Sequence, residues 1–249
     1  MAEFANVDLH VDLLGKRLAG PVIAASGTFG FGPEYAGIED LTLLGGISGK
    51  GLTLHGQPGN SGERLYETPS GLMNSIGLQN PGVDHFIEHE LPAMKALGTT
   101  VWANLGGHTV EENVEGVEKL CAAGVDFLEL NISCPNVKQG GLAFGIRAAD
   151  AAGVVGAVRK VCTVPLIVKL SPQAENLPDM CRAVEAAGAD GRVCATPSRP
   201  APSTSSAAAR CLTTPSPGCP ARPCGPLRCA WSGRPWARCL SRSSGWAAS

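Results

Sequence analysis

Phe127-Leu-Glu-Leu-Asn-Ile-Ser-Cys-Pro-Asn-Val-Lys-Gln-Gly-Gly-Leu-Ala-Phe-Gly145 is the stretch whose reading decides the fold. Its first six residues are a strongly apolar run, and from Asn131 to Gly145 the composition turns to Pro, Asn and Gly, which is how a strand gives way to a loop. Cys134 therefore sits just past the carboxyl end of a strand. In sheets built from βα units, ligands and catalytic groups collect at that position, because the loops vary while the strands hold them in place.

Working outward, the flanking segments alternate strand and helix patterns. Upstream, Thr100–Leu105 reads as a strand and Val110–Ala123 as a helix; downstream come a helix over Arg147–Val161, a strand over Pro165–Leu170 and a helix over Glu175–Ala187. Nearer the start, residues 7–11 and 17–18 around Leu14-Gly15-Lys16 read as a hairpin, Pro21–Ala25 as a short buried strand, Glu34–Leu44 as a short helix, and Gly46–Gly51 as a second strand ending in Lys50. Residues 53–71 read as a long loop, and a loop of that length inside a compact domain is more often functional than idle. Val83, Phe86, Ile87, Leu91 and Met94 then recur at helical spacing, with Pro92 expected to kink or end that helix. Short apolar strands separated by single helices predict an α/β fold with a parallel sheet, and five of them by residue 170 point to a (β/α)8 barrel, incomplete here: about five βα units plus the hairpin.

A repeat marks where the pattern fails. Cys121-Ala-Ala-Gly-Val-Asp126 leads into the strand at Phe127, and Glu185-Ala-Ala-Gly-Ala-Asp190 has the same arrangement, yet the expected sixth strand is replaced by Arg-Val-Cys-Ala-Thr-Pro-Ser-Arg-Pro. All 22 acidic residues fall before residue 191, against 12 basic ones, so residues 1–191 carry a formal −10. Residues 192–249 hold eight arginines, no acid, no lysine and six of the ten cysteines. That tail has neither a 2- nor a 3.6-residue period and too few aliphatics to offset the entropy of ordering. Two regions are thus expected, a partial barrel over 1–191 and a disordered or out-of-frame tail over 192–249. The other two reading frames of the gene decide the frameshift idea, which fails if neither continues a βαβ pattern after Gly191.

The N-terminus has no basic patch followed by an apolar core, and no run approaches the ~18 apolar residues that span a membrane. The expectation is a cytoplasmic protein, bound neither to membrane nor to nucleic acid, with its head cysteines reduced. Ser26–Gly32, with glycines at 27, 30 and 32, misses the G-x-G-x-x-G spacing of a dinucleotide loop and is better read as a loop lining a pocket.

Three separated blocks carry a family likeness: Asn131-Ile-Ser-Cys-Pro-Asn-Val-Lys-Gln-Gly-Gly with Phe144-Gly145; Glu67-Thr-Pro-Ser-Gly-Leu-Met-Asn-Ser-Ile-Gly-Leu-Gln-Asn-Pro-Gly82; and Val168-Lys-Leu-Ser-Pro172. From about Val7 to Gly191 the chain resembles the catalytic subunit of the dihydroorotate dehydrogenases, in particular the soluble NAD-linked class 1B. The cysteine, where the membrane-bound class would have serine, and the Val-Lys-Gln-Gly-Gly after it favour that class. The resemblance implies an FMN-containing (β/α)8 barrel that oxidises dihydroorotate to orotate in pyrimidine synthesis. It further implies a homodimer within a heterotetramer, whose electron-transfer subunit carries FAD and a 2Fe-2S cluster and passes electrons to NAD.

The chemistry required is independent of the name. Making a carbon–carbon double bond needs a base for one proton and an acceptor for the neighbouring hydride, which side chains alone cannot supply. Cys134 is a plausible base if its thiol is partly deprotonated, although a lone cysteine is more commonly a buried structural residue. Lys50 and Lys169 sit at strand ends, where positive charge can stabilise a reduced flavin or a substrate carboxylate; solvated rim charges are the plainer reading. Asn74, Asn104 and Asn131 both donate and accept, as ring amides require, though any one could simply cap a turn. By resemblance Cys134 is the base; Lys50, Asn74, Ser75, Ile76, Gly77, Leu78 and Asn131 contact substrate; and Ser26, Lys50, Gly51, Asn104, Asn131 and Lys169 contact FMN.

Other motifs are weaker. His85-Phe-Ile-Glu-His89 fits H-x-x-E-H, but no recognisable third ligand accompanies it, so no metal is expected. The stronger rival is that this polypeptide is an inactive fragment of the dehydrogenase, because a closed barrel needs eight strands and its phosphate site is commonly formed after the seventh and eighth.

Overall fold

A computed structural model of the chain describes residues 7–68, 71–133, 144–171 and 174–194. They divide into two compact units, residues 7–58 with 78–194 in the first and residues 59–77 in the second. The expected tail from 192 onward lies almost wholly outside the described residues.

The first unit is organised by a six-stranded parallel sheet. Its strands in chain and spatial order are β3 (Ile23–Ala24), β4 (Gly46–Ser48), β9 (Val101–Leu105), β10 (Phe127–Asn131), β11 (Leu166–Leu170) and β12 (Gly191–Cys194). The crossovers between β9 and β12 are single helices, α3 (Val110–Ala122), α4 (Ala148–Arg159) and α5 (Leu177–Ala186). This is the expected α/β architecture, six consecutive strands of an incomplete (β/α)8 barrel. Before it, β1 (Val11–Leu13) and β2 (Lys16–Leu18) form the opening hairpin, its first strand starting four residues later and ending two later than the sequence suggested. Leu14 and Gly15 both take positive φ, 50° and 81°, the conformation a two-residue hairpin turn demands.

Strand register explains the layering. Val101, Ala103, Leu105, Leu128, Leu130, Leu166, Val168 and Leu170 alternate onto one face and are buried. There α3 packs so tightly that a Cβ on Gly116 would lie 2.8 Å from Leu105 Cδ2. On the other face Trp102 pairs with Phe127, their rings stacked 4.2 Å apart, and with Ile167 and Leu18 they form an apolar cluster at the amino end, joined by Leu13, Ile23 and Val193. Further along that face the side chains turn polar: Ser48, Asn104, Glu129, then Asn131 and Lys169.

The Ala-Ala-Gly-x-Asp repeat has one job at both places. Gly124 and Gly188 end α3 and α5 at φ 77° and 106°. Asp126 Oδ2 then accepts the Val101 amide at 3.0 Å, and Asp190 Oδ2 accepts the Leu166 amide at 2.8 Å, each locking the new strand against the previous one. Asp190 therefore sets the register of a sixth strand, contrary to the expectation from the compositional break. Arg192 turns outward to the Cys181 carbonyl and Glu185, and Val193 turns inward to the apolar cluster, so three residues suffice to continue the alternation.

Three further readings are corrected. Glu34–Leu44 is not one helix but two 3-10 turns, Pro33–Tyr35 and Leu41–Leu43; Asp40 caps the Thr42 amide and so competes with helix continuation. Residues 53–71 are not a structureless loop. β5 (His55–Gln57) pairs antiparallel with β8 (Asn80–Gly82), and in the second unit β6 (Leu65–Thr68) pairs antiparallel with β7 (Gly71–Asn74). Pro92 does not end its helix: α1 (Val83–His85) passes through a π-turn over Phe86–Glu90 into α2 (Leu91–Ala96), and the wider turn accommodates the ring. Among the described residues no helix is long and apolar enough to cross a membrane.

Candidate functional site at the carboxyl ends of the strands

Glu129 is the hub. It lies mid-strand in β10, 4% exposed, and its Oε2 accepts the Ser48 hydroxyl at 2.6 Å while Oε1 accepts the Asn104 amide at 2.8 Å. The Lys169 ammonium stands 3.5 Å from Oε1. A carboxylate so deeply buried is tolerated because donors and a cation surround it. Above it, Asn131 Nδ2 donates to Asn104 Oδ1 at 3.3 Å, and Asn131 Oδ1 accepts both the Ser133 amide at 3.0 Å and its hydroxyl at 2.6 Å. The polarity of this ladder follows from its foot. Glu129 Oε1 accepts, so Asn104 turns its NH2 down and its oxygen up; Asn131 does the same, which leaves its oxygen for Ser133.

The neighbouring strand supplies Lys50 and Gly51. Ser48 pairs with Trp102 and Leu52 with Leu105, so four steps on one strand face three on the other, and Gly49–Gly51 carries one extra residue. Such bulges re-aim side chains at the ends of strands. Lys50 is half-buried there, and no hydrogen bond or ion pair links it to another described residue. A Cβ on Gly51 would lie 3.0 Å from Asn104 Oδ1 and 3.4 Å from Leu78 Cδ1, so glycine keeps this approach open. Ser26 follows β3 in an Ala25–Thr28 turn whose third residue, Gly27, has φ 86°.

The Asn74–Leu78 segment divides between the units. In the second, Asn60 donates to the Ser75 carbonyl and hydroxyl, and its backbone amide reaches the Ile76 carbonyl at 3.1 Å; Gly77 takes φ 73° where a Cβ would lie 2.5 Å from that amide. In the first, Leu78 sits at φ 53°, a conformation a branched residue keeps only when held. Buried Asn80 holds it, donating to the Leu78 carbonyl at 2.8 Å and to Thr53 Oγ1, and accepting the Thr53 and Gly82 amides.

Of the sequence candidates, the structure brings Asn104, Asn131 and Lys169 together through Glu129, with Gly51 against Asn104 and Leu78 against Gly51. Lys50 and Ser26 follow neighbouring strands. Cys134 lies outside the described residues. Glu129, Ser48, Ser133 and Asn80 were not singled out from sequence. A charged residue flanked by leucines inside an apolar strand was the available signal for Glu129. His85 and His89 lie ring against ring, centroids 4.4 Å apart, and among the described residues no group of three potential metal ligands forms.

The family model for dihydroorotate dehydrogenase matches residues 8–196. The catalytic subunit of dihydroorotate dehydrogenase B (NAD(+)) from Petrotoga mobilis is 54% identical over 184 residues, 74% of this chain and 61% of the relative. Its counterpart in Parabacteroides distasonis is 48% identical over 184 residues, covering 74% and 60%, and that in Desulforamulus reducens 51% over 187 residues, covering 75% and 62%. The chain thus spans about three fifths of the length of the curated relatives it matches. With three-quarters of its length matched by such relatives and a parallel-strand half-barrel beneath the matching blocks, the chain belongs to the dihydroorotate dehydrogenase family.

Proposed function

We propose that the chain encodes the flavin- and substrate-facing part of a dihydroorotate dehydrogenase of the NAD-linked class, which oxidises dihydroorotate to orotate in pyrimidine synthesis. The observation that carries this reading is the polar ladder Ser133–Asn131–Asn104–Glu129 with Lys169 at the carboxyl ends of parallel strands. The donor set fits FMN: two lysines and two asparagines match the alternating acceptors and N–H groups of an isoalloxazine edge, and Gly51 leaves room against Asn104. FMN, when bound, accepts the hydride.

The chain's own residues then divide the remaining work. Ser26, Lys50, Gly51, Asn104, Asn131 and Lys169 hold the flavin. Lys50, Asn74, Ser75, Ile76, Gly77, Leu78 and Asn131 orient the substrate. Cys134 Sγ takes the proton from carbon, a role that a lowered thiol pKa favours. Glu129 acts through others: it fixes the Asn104 and Asn131 amides and the Lys169 ammonium. We assign the electrons' onward path to a partner subunit with FAD and a 2Fe-2S cluster, the assembly being a heterotetramer around a homodimer in the cytoplasm.

A second reading is favoured by coverage. The described sheet has six strands, the chain spans about three fifths of its relatives, and a barrel's phosphate site is commonly formed after the seventh and eighth strands; on this reading the chain by itself is an inactive fragment of the dehydrogenase. Purification followed by FMN titration and a dihydroorotate-dependent flavin-reduction assay decides between them. Little flavin retained and no reduction supports the fragment; a yellow protein with stoichiometric flavin bleached by dihydroorotate refutes it. Stoichiometric flavin that dihydroorotate leaves oxidised would sink the dehydrogenase assignment.

A further inference from the structure

Two thiols outside the strand-end site face one another in the helix layer. Cys121 lies in the last turn of α3 and Cys162 just beyond the end of α4, 41 residues apart in the chain, with their Sγ atoms 3.9 Å apart. Cys162 is buried, and Cys121 is partly open to solvent. The loop carrying Cys162 is clamped: its thiol donates to the Val164 carbonyl at 3.3 Å, and the guanidinium of Arg159, the last residue of α4, donates to the Cys162 carbonyl while pairing with Asp190 at 2.8 Å. A disulfide requires sulfurs about 2.05 Å apart, so closure asks for an approach of about 2 Å, within reach of side-chain rotation.

We propose that Cys121 and Cys162 form a dithiol site that hydroperoxides oxidise to a disulfide, stapling α3 to the segment after α4. The Cys121 sulfur attacks one peroxide oxygen, breaking the O–O bond; the departing oxygen takes a proton and leaves as water or alcohol. The Cys162 sulfur then attacks Cys121, breaking its new S–O bond and releasing a water with the second proton. Two thiols lose two electrons in all, and the peroxide gains them. The partly exposed sulfur is the one an oxidant reaches, and the buried one waits beside it to resolve the intermediate. The Cys121 thiol is also pulled down to about 6, chiefly by hydrogen bonding with the Cys162 sulfur, which outweighs the rise from burial, with smaller help from the Thr163 amide and hydroxyl; Cys162 is pushed up by the same contact and by burial. The loop that closes contains β10, with Glu129 and Asn131, so oxidation would tether both ends of the segment that carries the ladder.

The test uses the full chain, reduced and then treated with hydrogen peroxide, with remaining thiols alkylated. Cleavage after lysine and before aspartate releases Cys121 in residues 120–125 and Cys162 in residues 161–169. The expected product is these two peptides joined, enriched about tenfold over links from either cysteine to any other, because proximity raises effective concentration. In guanidinium the enrichment should vanish. In C162S, a dimedone adduct should accumulate on Cys121. The proposal is overturned if the pair stays reduced while other cysteines oxidise, if the same link pattern forms in guanidinium, or if Cys121 in C162S gives no adduct.

Discussion

Glu129 takes a hydroxyl, an amide and an ammonium onto one buried carboxylate, so the three donors depend on it as much as it depends on them. Removing it leaves Ser48, Asn104 and Lys169 without their shared acceptor. Glu129→Leu is expected to cost about 3–5 kcal/mol, the range for breaking one side of a buried pair, and Glu129→Gln, which keeps one acceptor oxygen, about 1–3 kcal/mol. Urea unfolding with an unchanged slope checks both; a Leu variant as stable as the parent would show that the three donors do not depend on the carboxylate. At this scale the sequence was half legible. Asn104, Asn131 and Lys169 stood out because polar residues near glycines at strand ends are conspicuous. Glu129 hid inside Phe127-Leu-Glu-Leu-Asn, since its partners lie 81 and 25 residues away and only strand register brings them opposite it. Asn80 hid for the same reason, its carboxamide closing on Thr53 across 27 residues.

Elements with a full local signature were read almost to the residue. β9, β10, β11, α3, α4 and α5 each carry an apolar period, and α3 and α5 add a side-chain cap and a terminal glycine. α3 shows the signature well: Thr109 accepts the Glu112 amide at 3.1 Å, and Glu112 reaches back to the His108 amide at 2.7 Å. Thr109→Ala should destabilise by about 1 kcal/mol, read as a lowered melting temperature. Gly116 in the same helix tests packing against propensity. Alanine there gains at most about 1 kcal/mol of helix propensity but drives a methyl against fully buried Leu105, costing about 1–3 kcal/mol, so Gly116→Ala should lower the midpoint. A rise would mean that α3 can shift off the sheet. Elements held by distant partners were misread: β5 and β8 have no apolar alternation of their own, and His55-Gly-Gln57 becomes a strand because Asn80-Pro-Gly82 lies beside it. β12 was hidden differently, since composition after Gly191 argues for a tail while Asp190 and Arg192 still fix one more strand.

For the molecule as a whole, charge separation along the chain makes a prediction independent of any ligand. An acidic stretch of −10 and a basic one of +8 attract one another within and between copies, and added salt screens that attraction over about 10 Å at 0.1 M. Light scattering of the purified chain should therefore fall as salt rises from low ionic strength; scattering that grows with salt would point to apolar association of open sheet edges instead. The fold class was legible because five strand patterns, each separated from the next by a connection, repeat one physical solution, whereas the polar face of the sheet was not, being visible only once the strands are set side by side. The ladder on that face has a further consequence. Its amides do not choose their orientations one by one: the accepting oxygen of Glu129 fixes Asn104, which fixes Asn131, which decides whether Ser133 meets an oxygen or an NH2. Four residues thus share a single setting, held at the bottom of the sheet's polar face and displayed at the residue adjoining Cys134. A substitution at that one buried acid is therefore felt four residues up the chain without moving a single strand.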